Sequence, residues 1–325
     1  MSSNSILVWS EIADGAVTST SYELLGFARR LATELDGSVA AFVFGADVEQ
    51  HAEVLIARGA DRVYIVNDPA LHDFQSDTAL AALALATQES NPVLFLFPHS
   101  SYGSELAPRL AFRLGSAPAM GCVDGQINGG QVSMIRPCYG GRARAVVSFR
   151  TTPAIATMLA KSQEAVAVDT DRRGDIIVLP PTPSQNPTRI KVLKRTPNEV
   201  QGVRLDQATI VISGGRGLGG AEGFGILEEL AKVVGGAVGA SRPACDMGWY
   251  PHSQQVGVSG RTVAPQLYVA VGISGAGHHL AGCGNSKVLV AINSDADARI
   301  FEFAHIGIVA DYREIIPELL SILRA

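Results

Sequence analysis

"LYVAVGISGAGHHLAG", residues 267–282, decides how this chain folds. An apolar run drives straight into a turn of glycine, serine and alanine, and two adjacent histidines, His278 and His279, follow. A strand apolar at every position is buried on both faces, as strands of a parallel sheet are. The histidines then stand where a helix begins, in a loop that follows the carboxyl end of a buried strand.

The same grammar recurs on either side. "ATIVIS" (208–213) runs into "GGRGLGG", and "GAVGAS" (236–241) into Arg242. "KVLVAIN" (287–293) and "IGIVAD" (306–311) supply two more strands. "AEGFGILEELAKVVGG" (221–236) and "YREIIPELLSIL" (312–323) have helical spacing. Buried strands alternating with amphipathic helices predict a doubly wound parallel sheet. In such sheets ligands collect outside the carboxyl ends of the strands. Here those ends carry Arg216, Arg242, His278 and His279, Asn293 and Asp311 among glycines, which is the pattern of a nucleotide-like ligand site.

The first half repeats the α/β pattern. Strands are expected at 5–11, 38–44, 62–66 and 92–97, with helices at 22–35, 48–59, 76–89 and 100–115. From 117 to 180 glycine turns separate short alternating runs, so antiparallel strands or hairpins are expected there. "LPPTPSQNPTRIKVLKRTPNEVQG" (179–202) is rich in proline and reads as a connector. The chain therefore divides into an α/β domain over 1–197 and a second over 198–325.

Composition narrows the function. With 47% hydrophobic and 18% charged residues in 325, there is material for two buried cores. A formal net charge of -5 argues against non-specific nucleic-acid binding. No apolar run is long enough to span a bilayer. The first basic residue is Arg29, which argues against a signal or transit peptide. Cys122, Cys138, Cys245 and Cys283 have neither CxxC nor metal-ligand spacing, which fits idle thiols in a reducing, cytoplasmic setting. No metal site is expected. The absence of any G-x-x-x-x-G-K-[ST] weighs against an adenine-nucleotide module in the first domain.

"GRGLGG" (215–220) fits G-x-G-x-x-G, so a nicotinamide-dependent oxidoreductase is the alternative reading. That fingerprint calls for an acidic residue at the end of the next strand, and "GAVGASR" ends in Arg242 instead.

"SGGRGLGGAEGFGILEELA", "VGASRPACDMGWYPHSQQVGVSGRTVAPQLYVAVGISGAGHHLAG", "SKVLVAINSDADARIFEFAHIGIVAD" and "IIPELL" together resemble the electron transfer flavoprotein alpha-subunit family across 208–320. The first domain resembles it more loosely, notably in "RPCYGGRARAVV". The resemblance implies FAD in the second domain, no cofactor in the first, and pairing with a beta subunit. It also implies an electron carrier without a substrate of its own. Such a carrier takes electrons from flavin dehydrogenases of the acyl-CoA dehydrogenase type through an anionic semiquinone. It passes them to a membrane-linked or soluble acceptor of the quinone-reductase type, without inserting into the membrane. Matched residue by residue, Arg242 lies against the isoalloxazine, Ser259 supplies the hydroxyl at flavin N5, and His279 reaches the N1/O2 edge. Arg216, Ser241, Gln255, Val256, Gly257, Gly272 and Ser274 match positions lining the FAD, with Gly275 and Ala276 near its diphosphate. Asn293 and Asp311 match positions toward its adenosine half. Two departures stand out: Val258 where many members carry glutamine, and Ser259 where they carry threonine. His278 falls where glutamine is common.

Overall fold

A computed structural model describes residues 4–139, 141, 143–181, 192–194, 203–205 and 208–324. The chain forms two compact units, Met1–Cys138 with Ala143–Arg195, and Tyr139–Arg142 with Thr196–Ala325. Most of the proline-rich stretch at 179–202 lies outside the described residues.

The first unit runs β1 (Ile6–Trp9), a small hairpin of β2 (Ile12–Ala13) and β3 (Ala16–Val17), α1 (Ser19–Leu35), β4 (Val39–Gly45), α2 (Ala52–Ala57) and β5 (Arg62–Asn67). It continues with α3 (Ser76–Ser90), β6 (Leu94–Pro98), α4 (Ser101–Arg113), β7 (Pro118–Cys122), β8 (Asp124–Asn128), β9 (Gln131–Cys138), β10 (Ala143–Ser148), β11 (Ala154–Met158) and β12 (Asp175–Val178). Seven strands pair in the order β12-β5-β4-β1-β6-β11-β7, every pair parallel.

The two-residue repeat of the strands sorts their side chains onto two cores. Ile6 and Val8 of β1 join Val39, Ala41 and Val43 of β4 beneath α1 residues Leu24, Phe27 and Leu31. Leu7 and Trp9 face the other way, with Phe42, against Ala82, Leu83, Leu106 and Leu110 of α3 and α4. Helix α1 starts earlier than its apolar spacing predicts because the Thr18 hydroxyl accepts from the Ser21 N–H and caps it.

The expectation of antiparallel strands or hairpins in 117–180 holds for part of that stretch. Only β8, β9 and β10 pair antiparallel, whereas β7, β11 and β12 join the parallel sheet. β11, "AIATM", is buried at all five positions and lies between β6 and β7, an interior strand that follows directly on the hairpin region. The helix expected at 48–59 is a 3-10 turn over Glu49–His51 followed by α2.

The second unit contains β13 (Ile210–Gly214), α5 (Gly223–Val234), β14 (Ala237–Ala240), α6 (Arg242–Asp246), β15 (Leu267–Val271), α7 (Gly277–Cys283), β16 (Val288–Asn293), β17 (Ile306–Val309) and α8 (Tyr312–Arg324). Its five strands pair in the order β14-β13-β15-β16-β17, again all parallel. Ile212, Val269 and Val271 pack under α5 and α8 with Phe224, Leu227, Ile316 and Leu320. Val211, Tyr268 and Ala270 face the opposite core, closed by Val256, Leu280, Cys283 and Ile300. The four cysteines are free thiols. Among the described residues no helix is long and apolar enough to cross a membrane.

One buried acid in the first unit sets a pH dependence. Glu23 of α1 is 9% exposed and accepts the Lys161 N–H at 2.6 Å. Burial pushes its pKa up to about 7, and the Lys161 backbone bond offsets this only in part. Because the folded pKa lies above the unfolded one, stability falls as pH rises from about 4.5 through 7. Glu23→Gln keeps the acceptor and removes the charge. We expect it to raise stability above pH 7 by on the order of 1–2 kcal/mol and to do nothing at pH 4. Urea unfolding of both proteins at the two pH values checks this, and an equal difference at both would refute it.

Candidate functional site

The strand order of the second unit fixes where a ligand can enter. Taken in chain order, the second strand lies on one side of the first and the third, fourth and fifth lie on the other. The crossovers therefore diverge between β13 and β15, and that switch point is where ligands bind in sheets of this kind. A row of backbone bonds stitches the turns along this edge. Ser241 N–H donates to Gly214 (2.9 Å), Gly215 to Val271 (2.8 Å), Gly217 to Gly272 (2.9 Å), Gly272 to Ile292 (2.9 Å) and Ala310 to Asn293 (3.1 Å).

The first two glycines of "GRGLGG" are explained by this contact. A Cβ on Gly215 would lie 2.2 Å from the Gly272 carbonyl oxygen, and one on Gly217 would lie 2.8 Å from the Gly272 Cα. The two strand-end turns pass backbone against backbone. The motif leads into a 3-10 turn, Arg216–Leu218, and α5 begins only at Gly223. With Arg242 rather than an acid after β14, the nicotinamide fingerprint lacks its structural setting as well as its acidic residue.

Beyond β15 the loop is equally constrained. Gly275 has φ +83°, and a Cβ there would lie 2.3 Å from Ile300 N. The Ile300 N–H donates to the Ser274 carbonyl at 3.1 Å. Asn293 holds the same loop, with Nδ2 donating to the Ile273 carbonyl at 3.0 Å and Oδ1 accepting from Asp295 N–H. Asp311 accepts from the Arg313 N–H at 2.9 Å at the start of α8. Both residues thus build the edge they stand on. Gly272 is half-buried, Gly275 is buried, and Ser274 and Ala276 are exposed.

The segment 255–263 lies across the other face. It is fixed by Val256 N–H to the Ala240 carbonyl (2.9 Å), Val258 N–H to His278 (2.9 Å) and Val263 N–H to Gly282 (2.7 Å). Gln255 is buried, and its Nε2 donates to Ser259 Oγ at 3.0 Å. The serine hydroxyl accepts that bond and keeps its own proton to donate. Val256 and Gly257 are buried in the segment, while Val258 and Ser259 are exposed.

The charged residues stand outward. Arg216 is exposed at the start of its 3-10 turn. Arg242 is exposed at the start of α6 and donates to Asp246 Oδ2 at 3.3 Å. The two histidines have opposite environments. His278 is exposed and borders an open recess of about 450 Å³ with Val258, Leu280 and Phe303. His279 is buried, its Nε2 is 2.9 Å from the Tyr268 hydroxyl, and burial pushes its pKa down to about 4.

Three buried polar atoms at these strand ends, Ser213 Oγ, Ser241 Oγ and His279 Nδ1, make no hydrogen bond. Buried polar groups are seldom left so. Exposed arginines, backbone-lined glycine turns and unpartnered buried polar atoms fit a long, polar, anionic ligand such as a dinucleotide. Sequence reasoning missed Tyr268 as the partner of His279. The available signal was a lone tyrosine in an otherwise aliphatic buried strand, whose hydroxyl has to find a partner.

Comparison with known proteins decides the family. Residues 6–184 match the electron transfer flavoprotein domain, and residues 204–284 match the electron transfer flavoprotein FAD-binding domain. The electron transfer flavoprotein subunit alpha of Bacillus subtilis is 39% identical over 315 residues, covering 97% of this chain and 95% of that one. Its namesake from Thermoanaerobacterium thermosaccharolyticum is 38% identical over 318 residues, covering 97% and 96%. That of Mycobacterium leprae is 36% identical over 322 residues, covering 98% of each.

This chain belongs to the electron transfer flavoprotein alpha-subunit family. It is accordingly a flavoprotein of electron transport whose second unit contains an FAD-binding domain.

The loop geometry carries a test. Gly275→Ala places a Cβ against Ile300 N in a left-handed backbone. Gly277→Ala meets nothing within 4 Å in α7. We expect the first to cost about 2–4 kcal/mol and to lower FAD retention, and the second to change stability by less than ~1 kcal/mol. Thermal unfolding with flavin absorbance checks both. Equal effects would mean that the loop does not make this contact.

Proposed function

We propose that this chain is the FAD-holding large subunit of a heterodimeric electron carrier, paired with a beta subunit. The observation that supports it best is the FAD-binding match over 204–284, which spans the ends of β13, β14 and β15. In this reading residues 1–197 serve subunit pairing and residues 198–325 hold the cofactor. Electrons come from a flavin dehydrogenase of the acyl-CoA dehydrogenase type and leave to a membrane-linked or soluble acceptor. The relatives are named as alpha subunits, which supports a partner chain. The thiols are unpaired, in keeping with a reducing, cytoplasmic setting.

FAD supplies one-electron chemistry, and the chain's own residues set the conditions for it. Arg216 and Arg242 place positive charge along the edge that receives the diphosphate and the ring. Ser259 offers a hydroxyl whose oxygen is already engaged by Gln255, so its proton is free for the ring's N5. His279 offers a neutral donor at the pyrimidine edge. Ser241, Gly257, Gly272, Ser274, Gly275 and Ala276 shape the channel, and Asn293 and Asp311 hold its adenosine end.

Production with the beta subunit tests this directly: the purified pair is expected to be yellow and to release FAD on denaturation. A colourless pair, or tight nicotinamide binding by the chain alone, would sink it. Within the yellow pair, His279→Ala removes a hydrogen bond to the group where charge gathers. We expect the first one-electron potential to fall by roughly 65–130 mV. His278→Ala, at an exposed position, should shift it far less. Redox titration of both variants decides, and an equal or larger shift for His278 would reverse the assignment.

A further inference from the structure

Tyr268 is fully buried on β15, and a buried phenol must place its proton somewhere. Three side chains face its hydroxyl. His279 Nε2 is at 2.9 Å, and Ser213 and Cys283 lie beside it. They are not equivalent as acceptors. A bare imidazole nitrogen is a good one, and a thiol is a weak one. Burial pushes the Cys283 thiol up to about 12, so it stays protonated. Ser213 has a proton of its own to place.

The surroundings of His279 point the same way. The Val256 carbonyl lies against the imidazole, and as an acceptor it repels a bare lone pair and favours an N–H. The ring is 7% exposed, and its Nδ1 makes no hydrogen bond. A buried donor without an acceptor is costly to leave unmade. The Val256 carbonyl beside the ring lies outside hydrogen-bond geometry with Nδ1, so this N–H is left for a better-placed acceptor such as a bound ligand.

We infer that Tyr268 is a positioning residue: its hydroxyl donates to His279 Nε2, fixes the imidazole in the tautomer protonated at Nδ1, and aims that N–H at the bound FAD. The identity of the acceptor rests on the FAD reading, whereas the tautomer belongs to the chain alone. The competing arrangement has Nε2 donating to the tyrosine oxygen. Nδ1 would then be a lone pair, which cannot donate to a flavin oxygen.

Nitrogen NMR on the holoprotein labelled with 15N-histidine separates the two forms, because the two neutral tautomers give different nitrogen shifts and two-bond couplings. The His279 signal is assigned by its loss in His279→Asn. We expect protonation at Nδ1 in the unmodified protein. In Tyr268→Phe a substantial fraction should move to Nε2. The same variant should lower the equilibrium constant for the first electron about tenfold, ~59 mV. Placed on a His279→Ala background, Tyr268→Phe should shift the potential no further, since its effect runs through the imidazole. Protonation at Nε2 in the unmodified protein would overturn the inference, as would an additive shift in the double variant. If Tyr268→Phe does not fold, the spectrum of the unmodified protein still decides. Failure to take up FAD would sink the FAD reading alone, because the tautomer is read from the same nitrogen signals without it.

Discussion

A parallel strand cannot return to its neighbour by a tight turn, and the second unit depends on that constraint. Each of its first four strands must be followed by a crossover before the next begins, so all five carboxyl ends share one edge. The pairing order then places the β13 and β15 ends where the crossovers part. The two turns leave their strands in close company there. Gly215 and Gly217 against Gly272 provide that closeness, since a methyl group on either side would collide with backbone. The site is therefore a property of the strand ladder first and of its side chains second.

The two faces of that ladder are covered unequally. One carries α5 and α8, whose Leu227, Leu230, Ile316 and Leu320 bury a conventional apolar core. The other carries the seven-residue α7 and the segment 255–263. Short elements bury little apolar surface, so backbone bonds do more of the fixing there, among them Val258 to His278 and Val263 to Gly282. This is also the face on which Tyr268 and His279 meet. A thin cover held by polar contacts brings polar atoms close to the edge without opening the core to water.

The sequence made the architecture legible wherever burial was two-sided. "ILVW", "LFLF" and "LYVAV" are apolar without interruption, and each is a parallel strand of the structure. It was less legible at β11, where "AIATM" is short, carries a threonine and follows a glycine-rich hairpin region. Local texture there belongs to β8, β9 and β10, while the pairing of β11 with β6 is set by distant residues that no local window contains. In the candidate site, the loops could be placed from sequence because glycine and charge follow each strand. The two histidines could be told apart only through the family resemblance, not from local pattern. Adjacent residues on a helix point about 100° apart, and only the packing of Leu280 and Cys283 into the core decides which imidazole turns inward.

That inward turn separates two kinds of electrostatics. Arg216 and Arg242 are solvated, so salt screens them, and under the proposed function their part is mainly to draw an anionic ligand toward the edge. Arg242 also shares its charge with Asp246, which weakens its field further. Burial holds the His279 pKa down at about 4, so the ring is neutral at pH 7, and its Nε2 lies 2.9 Å from the Tyr268 hydroxyl where the dielectric is low. A neutral donor held in place can stabilise negative charge that develops next to it without first being reorganised. A buried imidazolium would instead bear its desolvation cost in every redox state, including those with no negative charge to meet. In the proposed reading, the screened charges stand where binding is steered and the neutral, oriented donor where electron affinity is set.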